Sequence, residues 1–180
     1  MTPAQSNRYL LGFWAGAYAA LGEAALSPLG LSPADIDAVL TVEPAVLHRW
    51  ADRPDSIVRP RSGLLPALQA QDQDCIATFL AAGYGGNNPA TARLPRNANR
   101  HLLTVWQQAN GDDGHAERMA LTCADRAALA VADELALGRW VRLPIALAEP
   151  RPNLLPALLK REEPQLAAFL DSLGPTSAAP

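Results

Sequence analysis

Apolar residues along this chain recur at helical spacing, in blocks that occur twice. Residues 8–26 carry Leu10, Leu11 and Trp14 on one face, and residues 99–110 carry Leu102, Leu103 and Trp106 in the same arrangement. Both stretches are expected to be helices. Ser32, with Pro33 behind it, has the chemistry of an N-cap followed by proline at the first helical position, and Thr122 offers a second cap. The pattern after them predicts short helices over 33–40 and 44–52 in the first copy. In the second copy it predicts one continuous helix over 123–138. Residues 56–59 and 141–147 read as short extended segments, bounded by Pro54 and Pro60 and by Pro144 and Pro150. A last helix is expected over 64–82 and again over 154–172. The fold class is therefore all-α with short β segments.

The repetition is literal enough to align. Asn7-Arg8-Tyr9-Leu10-Leu11 with Trp14 returns as Asn99-Arg100-His101-Leu102-Leu103 with Trp106, ninety-two positions later. At an offset of ninety, Leu31-Ser32 with Ala34-Asp35 returns as Leu121-Thr122 with Ala124-Asp125, and Arg49-Trp50 as Arg139-Trp140. Pro60-Arg61 with Leu64-Leu65-Pro66-Ala67-Leu68 returns as Pro150-Arg151 with Leu154-Leu155-Pro156-Ala157-Leu158, and Ala77, Phe79 and Leu80 as Ala167, Phe169 and Leu170. One two-residue length change covers the whole alignment. All four tryptophans (Trp14, Trp50, Trp106 and Trp140) fall into corresponding pairs, so they are the expected structural core. The chain divides into a first helical repeat over 7–83, a linker over 84–98 rich in Gly, Asn and Pro, a second repeat over 99–174, and a tail over 175–180. A unit of this size buries a modest core by itself. Two linked copies, related by a pseudo-twofold axis, are a natural replacement for a symmetric homodimer, and a monomer is expected in dilute solution.

Charge and chemistry narrow the function classes. The formal net charge is -3 over 180 residues, so no global positive field draws the chain to nucleic acid or to an anionic membrane. The apolar run from Tyr9 to Leu31 is interrupted by Gly12, Gly16, Gly22 and Glu23, and its second copy is far more polar, which argues against a membrane span. Cys75 and Cys123 form no CxxC pair and have no histidine at ligand spacing, so neither a disulfide framework nor a metal site is expected. Two thiols fit a reducing cytoplasm. His48, His101 and His115 pair with no Ser, Cys or Asp in a catalytic pattern, and Gly85-Gly86 lacks the lysine of a phosphate loop. The expectation is a cytoplasmic non-enzyme without a cofactor.

Leu31 to Trp50 resembles a helix-turn-helix, with a capped helix, a break near Thr41-Val42 and a second helix opening at Pro44. The other reading of that stretch is a helical hairpin that packs the core. Fourteen of the fifteen basic residues are arginine, whose planar fork suits phosphates and carboxylates. Arg49, Arg53, Arg59 and Arg61 are the candidate DNA- or partner-contacting residues, with Arg93, Arg96 and Arg100 as a second group beside the linker.

Each copy also resembles the flagellar transcriptional regulator FlhD family. Asn7-Arg8-Tyr9-Leu10-Leu11, Leu29-Gly30-Leu31-Ser32, the segment from Ala38 to Ala51, and Arg59-Pro60-Arg61 carry the resemblance in the first copy. In the second copy it runs through Asn99-Arg100-His101-Leu102-Leu103, Asp112 to Ala116 and Leu121-Thr122. Trp14 and the Leu-Leu-Pro-Ala-Leu helix depart from the family pattern. The resemblance implies a helical transcription-regulator subunit that works with an FlhC-like protein partner and reaches DNA only through that complex, controlling flagellar or mobile-element genes. The alternative is a non-enzymatic protein-interaction module, such as a secretion chaperone, an anti-activator or a mobile-element accessory protein.

Overall fold

Thr2 starts the first helix, earlier than the apolar pattern suggests. Its Oγ1 accepts from the Gln5 amide at 3.3 Å, the Gln5 side chain accepts from the Thr2 amide at 2.9 Å, and Pro3 follows the cap. This capping box satisfies two donors that a helix end otherwise strands. Helix α1 (Pro3–Leu21) then runs to Gly22, whose φ of +58° a residue with a side chain would resist. Residues 22–25 form a single 3-10 turn before α2 (Leu26–Leu29). The computed structural model describes residues 1–83 and 89–160 and is mostly helical, with two short strands.

The remaining first-half elements are α3 (Pro33–Thr41), α4 (Pro44–Ala51), β1 (Val58–Pro60), α5 (Leu64–Ala70) and α6 (Gln73–Gly83). After α7 (Pro89–Arg93) come α8 (Pro95–Ala109), α9 (Asp113–Arg118), α10 (Cys123–Val131), α11 (Glu134–Val141), β2 (Ala148–Pro150) and α12 (Leu154–Lys160). Ser32 and Thr122 cap α3 and α10 as expected. Each shares a reciprocal box with the aspartate three residues on, Asp35 or Asp125, and both carboxylates are buried.

Several boundaries differ from the sequence pattern, each for a local reason. The second copy breaks at Ala132–Asp133, where 123–138 was expected to continue. Ala132 is extended, and the Asp133 carboxylate accepts from the Ala136 amide at 2.7 Å, so Asp133 is an N-cap that restarts the helix. The expected helix 64–82 divides at Gln71, which sits at φ +55°, and Asp72 then accepts from the Cys75 amide at 3.0 Å. Residues 89–93 and 95–98, read as linker, are helical. The second strand lies at Ala148–Pro150 and not within 141–147, because it is placed by pairing with β1. The second half of the 154–172 helix, the match of Ala167, Phe169 and Leu170, and the tail lie outside the described residues.

The two halves are joined by exchanged contacts. Helix α5 of the first half packs on α10 of the second, and α12 of the second packs on α3 of the first. Strands β1 and β2 pair antiparallel with Arg59 opposite Glu149. The Arg61 amide donates to the Leu147 carbonyl at 2.9 Å, and the Arg151 amide donates to the Ile57 carbonyl at 3.0 Å. The Ser56 amide reaches the Arg118 carbonyl at 2.8 Å, and the Ala146 amide reaches the Pro28 carbonyl at 2.7 Å. Within each half, a buried asparagine ties the first helix to the segment entering the strand. Asn7 accepts from the Ile57 amide and donates to the Asp55 carbonyl, as Asn99 does with Leu147 and Ile145. All four tryptophans are at most 4% exposed and belong to one continuous apolar core that spans both halves.

Candidate functional site

The four arginines singled out by sequence differ in exposure and in partners. Arg49 is exposed on α4, where its neighbours in sequence, His48 and Asp52, are exposed as well. Arg59 stands on β1 and grips Glu149 across the ribbon, with its Nε at 2.9 Å and its Nη2 at 2.8 Å from the same carboxylate oxygen. Arg61 follows β1 and is half-buried. Its Nε and Nη2 are shut off from solvent and find no hydrogen-bond partner among the described residues, and its Nη2 lies against Gly30. Burial pulls its pKa down, against the opposing pull of the Glu149 charge.

Arg151 holds the place of Arg61 in the second half and is 9% exposed. Desolvation lowers its pKa to about 10, with Asp55 opposing and the charges of Arg53 and Arg59 adding to the drop. Arg53 and Arg59 therefore lie within electrostatic reach of Arg151, around Asp55. These arginines belong to the joint between the halves. Arg61 and Arg151 are desolvated and Arg59 is engaged by Glu149.

A different surface emerges from the two helix pairs. Helices α3 and α4 are separated by Val42 and Glu43, and α10 and α11 by Ala132 and Asp133, so each half carries a helix–short turn–helix unit. The second helix of each packs on the long helix of its own half, α4 on α1 and α11 on α8. Their outer faces have diverged. In the first half Arg8 of α1 forms an ion pair with Asp52 after α4. The corresponding residues are Arg100 and Arg142, both exposed and both positive. Among the described residues, neither they nor Arg139 form an ion pair. Thr41, Ala45 and His48 of the first half correspond to Val131, Leu135 and Gly138 of the second. Val131 is 65% exposed and Leu135 is 70% exposed. An open groove of about 560 Å³ runs along α11, lined by Asp133, Glu134, Leu135, Gly138, Arg139 and Arg142.

Sequence reasoning passed over this face because it used the repeat alignment only for similarity. Reading the same alignment for differences exposes the reversal from Asp52 to Arg142 and the gain of Val131 and Leu135.

Other chemistry is sparse. Cys75 is half-exposed and Cys123 exposed, and they are not bonded. Among the described residues no three His, Cys, Asp or Glu side chains converge as metal ligands, and no helix is long and apolar enough to cross a membrane. The His101 ring stacks on Tyr9 at 4.0 Å between centroids, with its Nε2 3.1 Å from Ser6 Oγ, and burial lowers its pKa. Comparison with known protein families, characterised proteins and solved structures finds no match.

Proposed function

We propose that this chain is a non-enzymatic subunit of a transcription-regulating complex, a single-chain counterpart of a twofold dimer of a helix-turn-helix unit. The observation that carries the reading is the reciprocal exchange between halves. Among the described residues the main backbone and helix contacts between the halves come in pairs ninety residues apart, from α5 on α10 and α12 on α3 to the paired amides of Arg61 and Arg151. Such exchange is how two identical protomers would close around a twofold axis. The helix–turn–helix pair in each half and the resemblance to the FlhD family point the same way. A net charge of -3, the burial of Arg61 and Arg151 and the pairing of Arg59 with Glu149 fit DNA contact delegated to a partner, since non-specific affinity rests on phosphates neutralised.

The test is a mobility-shift assay at physiological salt, with purified chain alone and with an FlhC-like protein. No shift is expected from the chain alone and a shift from the complex, weakened by Arg49→Glu. Tight, sequence-specific binding by the chain alone would refute delegation. A complex that forms but never shifts DNA would leave the second reading, a protein-interaction module outside transcription. That reading draws its support from the exposed Val131 and Leu135.

A further inference from the structure

We infer that the α8–α11 face of the second half is a docking surface for an amphipathic, acidic segment of a partner protein, which seats apolar side chains beside Leu135 and Val131 and carboxylates on Arg139, Arg142 and Arg100. The inference rests on the proposal that the chain works in a protein complex, and it names where the partner binds.

Three observations converge there. Val131 and Leu135 are the two most exposed large hydrophobic side chains among the described residues, and they flank one turn between helices. Large exposed aliphatic side chains rimmed by polar groups mark contact sites. The groove beside them has the size of a recognition pocket, and Gly138 on its wall lets a second backbone come close. At the Arg139–Arg142 end the rim is positive, and among the described residues these arginines form no ion pair. Where the first half closes its equivalent position with the Arg8–Asp52 pair, the second half presents Arg100 and Arg142, which among the described residues form no ion pair. Two such arginine forks suit a pair of carboxylates.

The same face fits a duplex poorly. Phosphates gain nothing from Val131 and Leu135, and Asp133 and Glu134 border the groove at its other end. Asp133 is occupied in capping α11, whereas Glu134 is exposed and would repel an anionic backbone. A partner helix avoids the conflict by placing its carboxylates toward the arginines and away from Glu134. Apolar anchors at i, i+3, i+4 and i+7 are the usual means by which such a helix lies in a groove.

The experiment is fluorescence anisotropy on the full chain, with a labelled synthetic peptide carrying leucines at i, i+3, i+4 and i+7 and glutamates on its flanks. Saturable binding is expected, weakened about tenfold by Leu135→Ser and by Arg142→Glu. Leu40→Ser, at an exposed apolar position of α3, should leave binding unchanged, and a peptide with lysines for glutamates should not bind. Both altered positions are exposed, so the variants keep the fold. Absence of binding, or binding indifferent to Leu135→Ser and Arg142→Glu, would overturn the inference. So would displacement of the peptide by duplex DNA, self-association of the chain that Leu135→Ser abolishes, or contacts from residues 161–180 onto Leu135 in the free protein. Because peptide binding and its loss in the variants are read without DNA, failure there is separate from failure of the mobility shift.

Discussion

Arg59 lies directly across the ribbon from Glu149, which is the residue ninety positions further on and so its own counterpart in the second half. In a twofold homodimer the same residue would face itself at this place, and two like charges opposite one another are unfavourable. Here the position has opposite charges and an ion pair with contacts of 2.8 and 2.9 Å. Both side chains are about a third or more exposed, at 41% and 31%, so solvent screening keeps the gain small. Glu149→Arg should lower stability by roughly 0.2–1 kcal/mol. The double exchange Arg59→Glu with Glu149→Arg should restore it. Urea unfolding at low and high salt measures both, and a loss that persists unchanged at high salt would mean the pair acts through packing instead.

Gly30 and Ala120 hold the same position after α2 and α9, and both have left-handed backbone, at φ +72° and +58°. A side chain on Gly30 would meet Arg61 Nη2 at 2.6 Å and the Ala148 carbonyl at 3.1 Å. Gly30→Ala should therefore cost about 1–3 kcal/mol, from crowding added to the left-handed penalty. Ala120 already carries that penalty. Ala120→Gly should stabilise by less than about 1 kcal/mol, since glycine's extra unfolded-state entropy cancels part of the relief. Opposite signs at equivalent positions are the diagnostic result. Destabilisation by both changes would mean that the Ala120 methyl has a packing role that outweighs strain.

His101 gives stability a pH dependence whose sign follows from its burial. Its pKa is lowered in the fold by desolvation, and an unfolded histidine titrates near 6.5. The folded state thus binds its proton less readily than the unfolded state. Stability from this group is complete above the unfolded value, is lost as pH falls through it, and levels off below the folded value. The burial-lowered pKa of His115 acts in the same direction. His101→Tyr removes one titration and keeps a ring against Tyr9, as the first half has at that position. Thermal midpoints between pH 7.5 and 5 should fall less steeply in the variant. An identical slope would exclude His101 as a contributor.

Much of the fold is legible because its signals are local. Thr122 and Asp125 announce a capped helix within four residues, and the tryptophan pairs reveal the duplication without any tertiary information. The break at Ala132–Asp133 was equally local, but alanine and leucine on both sides hid a cap that a single aspartate supplies. What no linear pattern carries is the exchange. Leu64, Leu65 and Leu154, Leu155 read as helix faces needing cover, and periodicity cannot say that the cover comes from the other half. The surroundings of the arginines are another thing that no linear pattern carries. Arg59 and Arg61 sit close together in sequence as a basic patch, yet pairing of β1 with β2 gives one an internal partner and leaves the other half-buried.

The exchange also predicts what happens when the chain is cut. In a fragment of residues 1–83, α3 loses α12 and α5 loses α10, and β1 loses its partner strand. The Ser56 and Arg61 amides and the Ile57 carbonyl lose their hydrogen bonds as well. Stranding several backbone groups at roughly 1–3 kcal/mol each, beside uncovered leucines, exceeds what a unit this small can tolerate as a monomer. The fragment should therefore be unfolded when dilute and should fold only as a dimer, α5 of one copy taking the place that α10 offers in the full chain on α3 of the other. That dimer would set Arg59 against Arg59, the arrangement Glu149 removes in the intact protein. An equimolar mixture of fragment with its Arg59→Glu variant should then pair preferentially as the mixed species. Sedimentation equilibrium of each fragment and of the mixture reads this directly, with the intact chain run alongside. A fragment that is folded and monomeric at low micromolar concentration would show that each half carries its own complete core, and the exchanged contacts would be an ordinary interface between two independent units.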